Sequence, residues 1–262
     1  MKKPLIVANW KMNFTVINAV VFLQKFRELV QHANATVVLC APFTVLSALR
    51  YELKKGENSL AVQLRQPVFL GAQNFHHQEG GAFTGEISAP MLRELATYVL
   101  IGHSERRKLF HETDSEIHKK IVAAHAVGLT PILCVGTFVR EKEGLVSSFV
   151  EKELQQQLQN CLTGLSFANG QKLIIAYEPP ASIGSGNAAD PQRINHVCYF
   201  IRRQLDQMFG AKVATEIKLL YGGSVNSKNA KEYLQHKEID GVLVGSASLD
   251  VEEFARIVKC CC

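Results

Sequence analysis

The sequence contains no apolar run approaching the roughly 20 residues that a membrane helix needs, so no spanning segment is expected. Its start, Met1-Lys2-Lys3-Pro4-Leu5-Ile6, also lacks the apolar core and small-residue cleavage site of a signal peptide. Cysteine is present seven times, but never as Cys-x-x-Cys. An odd count without a secretory signal argues against a disulfide framework and for a reducing, cytoplasmic setting. His-Glu-x-x-His, paired cysteines and clustered aspartates are missing as well. The adjacent pair His76-His77 is poorly placed to share one ion, so no metal is expected. No Gly-x-Gly-x-x-Gly follows the first strand candidate, which removes the usual dinucleotide fingerprint. Nor is there a strong excess of one charge: 29 Lys and Arg face 24 Asp and Glu, a net of +5. The basic residues are scattered, with short bunches only at Arg106-Arg107-Lys108, Lys119-Lys120 and Arg202-Arg203. They form no stripe for a nucleic acid. A small anionic substrate fits the mild excess equally well.

What is present is ordinary globular composition, 47% hydrophobic and 20% charged, in a length suited to one large domain. Eight nearly continuous apolar runs read as strands buried on both faces: 5–9, 36–41, 68–73, 98–102, 131–135, 173–177, 218–221 and 241–244. Helical spacing separates them. Val16, Val20, Leu23, Phe26 and Val30 mark the first helix; Ile117, Ile121 and Ala124 mark the helix before the fifth strand. Ile194, Val197, Ile201, Leu205 and Phe209 mark another, opened by Asp190-Pro191 as N-cap and first-turn proline. Eight strands alternating with helices over this length match an α/β fold, the closed (β/α)₈ barrel of parallel strands with outer helices; an open doubly wound sheet is the runner-up. A single barrel domain is expected over residues 1–259, followed by a short cysteine tail, Cys260 to Cys262. A prenylation signal would need Cys where Lys259 stands.

The polar residues cluster where the apolar runs end: Asn9 and Lys11, Gln73 and Asn74, His103 to Glu105, Glu178, Gly222 to Ser224, and Gly245-Ser246. In a parallel barrel these ends share one face, where the site residues converge. Glu178, delivered by an apolar strand, suits a general base. His103 precedes a short polar helix start, whose positive end favours a neutral imidazole able to donate a hydrogen bond. Lys11 offers a fixed positive charge. The glycine-rich turns at Gly222-Gly223 and Gly245 suit a phosphate dianion held by backbone N–H groups.

Long motifs then carry a resemblance. Asn9-Trp10-Lys11-Met12-Asn13, Ala72-Gln73-Asn74, Gly81-Ala82-Phe83-Thr84-Gly85-Glu86, Gly102-His103-Ser104-Glu105-Arg106-Arg107, Ala176-Tyr177-Glu178-Pro179, Tyr221-Gly222-Gly223-Ser224 and Leu243-Val244-Gly245 occur in order. From about Pro4 to Lys259 the chain resembles the triosephosphate isomerase family. The resemblance implies interconversion of dihydroxyacetone phosphate and D-glyceraldehyde 3-phosphate, a step of glycolysis and gluconeogenesis, without a cofactor. It implies Glu178 as the base, His103 as the neutral electrophile, Lys11 with Asn9 stabilising negative charge, and Glu105 orienting the cationic network. The phosphate would rest on Gly184, Ser224, Gly245 and Ser246. A homodimer is implied too, with the loop carrying Thr84 reaching the neighbouring active site. Two other classes stay open at this point: a catalytically weakened relative kept as a binding protein, and a barrel isomerase for another phosphorylated carbonyl compound.

The chain departs from the family pattern at named positions. Pro180-Ala181-Ser182 replaces Val-Trp-Ala, Ser185 replaces Thr, Thr137 replaces Glu, and Ser246 replaces Gly. In the family pattern the Trp at position 181 meets the carboxylate at position 137, so this chain lacks both partners of one contact. Losing only one would leave a polar group unpaired, at about 1–3 kcal/mol. Ala181→Trp or Thr137→Glu alone should therefore help little or harm. The double replacement should exceed the sum, with a coupling on the order of 0.5–3 kcal/mol in turnover and inhibitor affinity; strictly additive effects would show the two losses to be unrelated.

Overall fold

The computed structural model describes residues 3–57, 68–137, 147–167, 171–179 and 188–260. Its strands are β1 (Leu5–Asn9), β2 (Thr36–Ala41), β3 (Val68–Ala72), β4 (Tyr98–Ile101), β5 (Thr130–Val135), β6 (Ile174–Tyr177), β7 (Lys218–Tyr221) and β8 (Gly241–Val244). They pair in chain order, all parallel, and β8 pairs back onto β1 from Leu5–Gly241 to Ala8–Val244. The sheet therefore has no edge, which excludes the doubly wound alternative. The expected strands are all found. β3 and β4 stop one residue short of expectation, β5 starts one residue earlier, and β6 starts one residue later.

Ten α-helices surround the barrel among the described residues: α1 (Val16–Leu29), α2 (Phe43–Glu57), α3 (Ala89–Arg93), α4 (Ser104–Leu109), α5 (Asp114–Ala126), α6 (Ser148–Leu162), α7 (Pro191–Phe209), α8 (Ala211–Glu216), α9 (Ala230–Leu234) and α10 (Val251–Lys259). None is long and apolar enough to cross a membrane. Their starts follow local chemistry. Asp190 caps α7 by accepting the Arg193 N–H at 3.0 Å, ahead of Pro191. Thr113 and Glu116 form a capping box on α5.

On the first helix the structure keeps the expected Leu23, Phe26 and Val30 buried and corrects Val16 and Val20. The helix buries Ala19, Phe22, Leu23 and Phe26, leaving Val16 44% exposed and Val20 only half-buried. The cause is an aromatic cluster. Phe14, at a left-handed φ of 74°, sits 4.6 Å from the Trp10 ring, and Phe22 packs 5.1 Å from the same ring. That contact turns the helix toward Phe22. The other two expected faces hold: Ile117, Ile121 and Ala124 are buried on α5, and Ile194, Val197, Ile201 and Leu205 on α7.

Strand residues alternate between two cores. Leu5, Val7, Val38, Cys40, Leu100, Ile132, Cys134, Ile174, Ala176, Leu220 and Leu243 fill the barrel. Their neighbours, such as Ile6, Ala8, Ile175, Tyr177, Tyr221 and Val244, pack outward beneath the helices. Cys161 and Cys198 lie buried in the outer layer, where loss of water pushes both thiols up to about 12. The packed chain extends past Lys259, because Cys260 is half-buried with its thiol donating to the Ile257 carbonyl at 3.0 Å. Cys261 and Cys262 lie outside the described residues.

Closure at β1–β8 depends on one missing side chain. A Cβ on Gly241 would stand 1.9 Å from the Leu5 carbonyl oxygen, a backbone atom that cannot yield without parting the strands. Gly241→Ala should therefore destabilise the protein by about 3 kcal/mol or more in urea unfolding. A loss below about 1 kcal/mol would contradict this view of the seam.

Candidate active site

The inward alternation carries straight into the polar residues at the barrel mouth. Leu5 and Val7 point inward, and Asn9 is the next residue on that side; Ile174 and Ala176 point inward, and Glu178 follows. Asn9 and Glu178 are 5% and 3% exposed, and His103 is 6% exposed. All three line a cavity of about 490 Å³ together with Lys11, Gly222, Gly223, Ser224, Gly245 and Ser246. That size suits a small molecule. Glu105 lies just behind it, on the first turn of α4.

Glu178 is held by two donors. Its Oε1 lies 2.9 Å from His103 Nε2, and its Oε2 accepts the Ser104 N–H at 2.8 Å. Burial works against a charge on Glu178, but His103 and the Ser104 N–H outweigh it, and its pKa lies below the ordinary carboxylate value. His103 is the N-cap residue of α4: its Nδ1 accepts the Glu105 N–H at 3.2 Å. Accepting requires a lone pair, which an imidazolium lacks. The geometry thus belongs to a neutral ring with its hydrogen on Nε2, aimed at Glu178, and the positive end of α4 favours that form. Burial also disfavours the imidazolium, yet the Glu178 and Glu105 carboxylates move the His103 pKa upward. The larger part of that push comes from Glu178 and ends when Glu178 leaves.

Lys11 stands in a strained loop, at a left-handed φ of 52° that only a small fraction of non-glycine residues adopt. Its backbone N–H donates to Asn9 Oδ1 at 3.0 Å, and its carbonyl accepts the Gln73 amide at 2.9 Å. Gln73 also reaches the Cys40 carbonyl at 3.0 Å, so one side chain ties the loop after β1 to β2. The Lys11 ammonium meets Glu105 Oε1 at 2.6 Å. Asn9, Lys11, His103, Glu105 and Glu178 are thus brought together, as expected.

Two residues that the motifs did not single out support Glu178 from behind. A Cβ on Gly136 would fall 2.1 Å from the Glu178 carbonyl oxygen, so only glycine allows β5 and β6 to end side by side. Gln157 on α6 then clamps Gly136 by both peptide groups, accepting its N–H at 3.1 Å and donating to its carbonyl at 2.6 Å. Thr137, next in the chain, is 3% exposed. After β8, Ser246 opens a short 3-10 helix following Gly245 without a left-handed φ, so a side chain is tolerated at this position without backbone strain. Thr84 is exposed on the loop before α3 and does not line the cavity within one chain. Gly184, Pro180, Ala181, Ser182 and Ser185 lie outside the described residues. Among the described residues no group of three or more His, Cys, Asp or Glu is placed to hold a metal ion.

Residues 4–261 match the family model described as triosephosphate isomerase. The chain belongs to the triosephosphate isomerase family. It is 45% identical over 258 residues to the triosephosphate isomerase of Aquifex aeolicus (strain VF5), covering 98% of each chain. It is 42% identical over 260 residues to that of Alkaliphilus metalliredigens (strain QYMF), covering 99% of this chain and 100% of the relative. The crystal structure of triosephosphate isomerase from Bartonella henselae superposes with a TM-score of 0.82 at 33% identity, covering 98% of each chain.

The lowered Glu178 pKa makes a prediction about stability. A depressed carboxylate stabilises the fold above its unfolded pKa and loses that contribution as pH falls through the folded value. Between neutral pH and about pH 3, the parent should therefore lose more unfolding free energy than Glu178→Gln does. Parallel pH profiles for the two proteins would show that the pair with His103 does not hold the charge.

Proposed function

We propose that this chain acts as a triosephosphate isomerase, interconverting dihydroxyacetone phosphate and D-glyceraldehyde 3-phosphate through an enediolate, in a cytoplasmic glycolytic setting and without a cofactor. The observation that carries the reading is the buried Glu178–His103 pair, 2.9 Å apart in a cavity that also holds Lys11. Each part of the reaction has a group suited to it. Glu178 removes the proton from the carbon beside the carbonyl and returns it to the neighbouring carbon. Both of its oxygens are occupied in this structure, so it must first turn away from His103 and Ser104. That turn releases the His103 Nε2–H, which then donates to the substrate oxygens as they gain charge. Lys11 adds a positive charge on the same side, steadied by Glu105, and the Asn9 side chain fixes the loop that presents it. Donors set in place before charge develops are the strongest form of transition-state stabilisation.

The phosphate is assigned to the glycine-rich turns after β7 and β8, on backbone N–H groups of Ser224, Gly245 and Ser246, with Gly184 as a further contact by resemblance. Negative charge suits these glycine-rich turns. The assembly is assigned as a homodimer in which the Thr84 loop of one subunit reaches the neighbour's site; the exposure of residues 81–86 supports this reading. Neither a weakened binding protein nor a barrel isomerase for another substrate is favoured by an observation at the site.

A coupled isomerase assay tests the proposal. The parent should convert glyceraldehyde 3-phosphate efficiently, and Glu178→Gln should lower kcat by at least about 10²–10⁴-fold while retaining the fold. Near-parent turnover in the Gln variant would remove Glu178 from the role of base.

A further inference from the structure

Ala189, one residue before the Asp190 cap of α7, is gripped by both of its peptide groups. Its N–H donates to the Tyr221 hydroxyl at 3.1 Å, and its carbonyl accepts the Tyr233 hydroxyl. The two tyrosine rings are stacked, with centroids 4.1 Å apart and planes 26° from parallel. Both residues are almost fully buried. Tyr221 ends β7, whereas Tyr233 comes from α9, so one peptide is tied at once to the barrel and to an outer helix.

The stack also bears on the cavity. A Cβ on Gly223 would lie 2.2 Å from the Tyr221 hydroxyl, so the Gly222-Gly223-Ser224 turn rests directly on that phenol. The order of contact is therefore Tyr233 against Tyr221, Tyr221 against Gly223, and Gly223 on the cavity wall. A buried ring pinned on one face by a second ring, and at its hydroxyl by a peptide N–H, has little freedom to tilt. Without the Tyr233 hydroxyl, the carbonyl of half-buried Ala189 loses its protein donor, and the peptide is free to turn away from Tyr221. Glu178 and His103 are held by bonds to each other and to the Ser104 N–H that do not pass through the tyrosines, although Gly222 lies against the Glu178 side chain. Slack in the stack should act first on Gly223 and Ser224, while the bonds of Glu178 to His103 and Ser104 keep the proton-transfer pair in place.

We infer that Tyr233 is a positioning residue for the phosphate: through Ala189 and the Tyr221 ring it sets the Gly222–Ser224 turn on which the substrate's phosphoryl group is held. This rests on the isomerase reading for what the turn binds.

The test compares the parent with Tyr233→Phe, which keeps the stacked ring, and Tyr233→Leu, which removes it. Binding of 2-phosphoglycolate, a phosphorylated carboxylate resembling the enediolate, is followed by calorimetry. Turnover is measured with glyceraldehyde 3-phosphate and with phosphate-free glyceraldehyde. Tyr233→Phe should bind 2-phosphoglycolate about tenfold more weakly, equivalent to about 1.4 kcal/mol, and Tyr233→Leu more weakly still. kcat/KM should fall in step for the phosphorylated substrate and stay within about twofold for glyceraldehyde, which makes no use of the phosphate wall. Unchanged 2-phosphoglycolate affinity in Tyr233→Phe overturns the inference. So does an equal fall for both substrates, which marks general loss of structure. A parent that binds 2-phosphoglycolate but does not isomerise triose phosphate refutes the isomerase reading and leaves the binding comparison intact; a parent that does not bind it refutes both.

Discussion

A carboxylate buried at the end of an apolar strand is the constraint on which the site depends. Glu178 is 3% exposed and follows Ile174-Ile175-Ala176-Tyr177 without a polar residue between that run and its own position, apart from the outward-facing tyrosine hydroxyl. Placing a charge there is costly unless donors replace the lost water. The barrel supplies two, the His103 Nε2–H and the Ser104 N–H, from the start of α4. The arrangement is stable at rest and still leaves a strong base close at hand, because desolvation returns once the carboxylate leaves those donors.

Other features follow from keeping that carboxylate in place. His103 must offer Nε2–H, so its Nδ1 is engaged by the Glu105 N–H, a bond the helix start provides without further cost in side chains. Gly136 must lack a side chain, because β5 ends against the Glu178 peptide, and Gln157 holds that glycine at both ends. Lys11 must reach inward from a left-handed backbone, and Gln73, Asn9 and the Trp10–Phe14 contact offset that strain. The proton-transfer side is thus a set of bonds among residues at the ends of β1, β3, β4, β5 and β6 and on α4 and α6. The phosphate side is simpler: bare glycine turns carried on a tyrosine stack.

The strands were legible because each is an uninterrupted apolar run, and parallel strands covered on both faces impose that pattern. The convergence of Asn9, His103 and Glu178 was legible for a related reason: polar residues at strand ends share one face whatever the outer helices do. On α1, Leu23, Phe26 and Val30 were legible but Val16 and Val20 were not, because Phe14 and Phe22 meet Trp10 in a contact between residues outside the helical repeat. Gln157 was invisible within Gln155-Gln156-Gln157, where only the geometry of α6 shows which amide meets Gly136. Tyr233 gave no signal either, since its hydroxyl acts on a peptide 44 residues away. Side chains that act on distant backbone groups leave no periodic trace.

The central claim is that His103 works as a neutral Nε2–H donor once Glu178 has turned to the substrate. It is tested most directly by ¹⁵N NMR of the histidine-labelled protein with 2-phosphoglycolate bound, using His103→Gln to assign the signals. The account predicts one protonated ring nitrogen, Nε2, and an unprotonated Nδ1 for His103 throughout the neutral range. Two protonated nitrogens in that complex, or a hydrogen on Nδ1 alone, would contradict it.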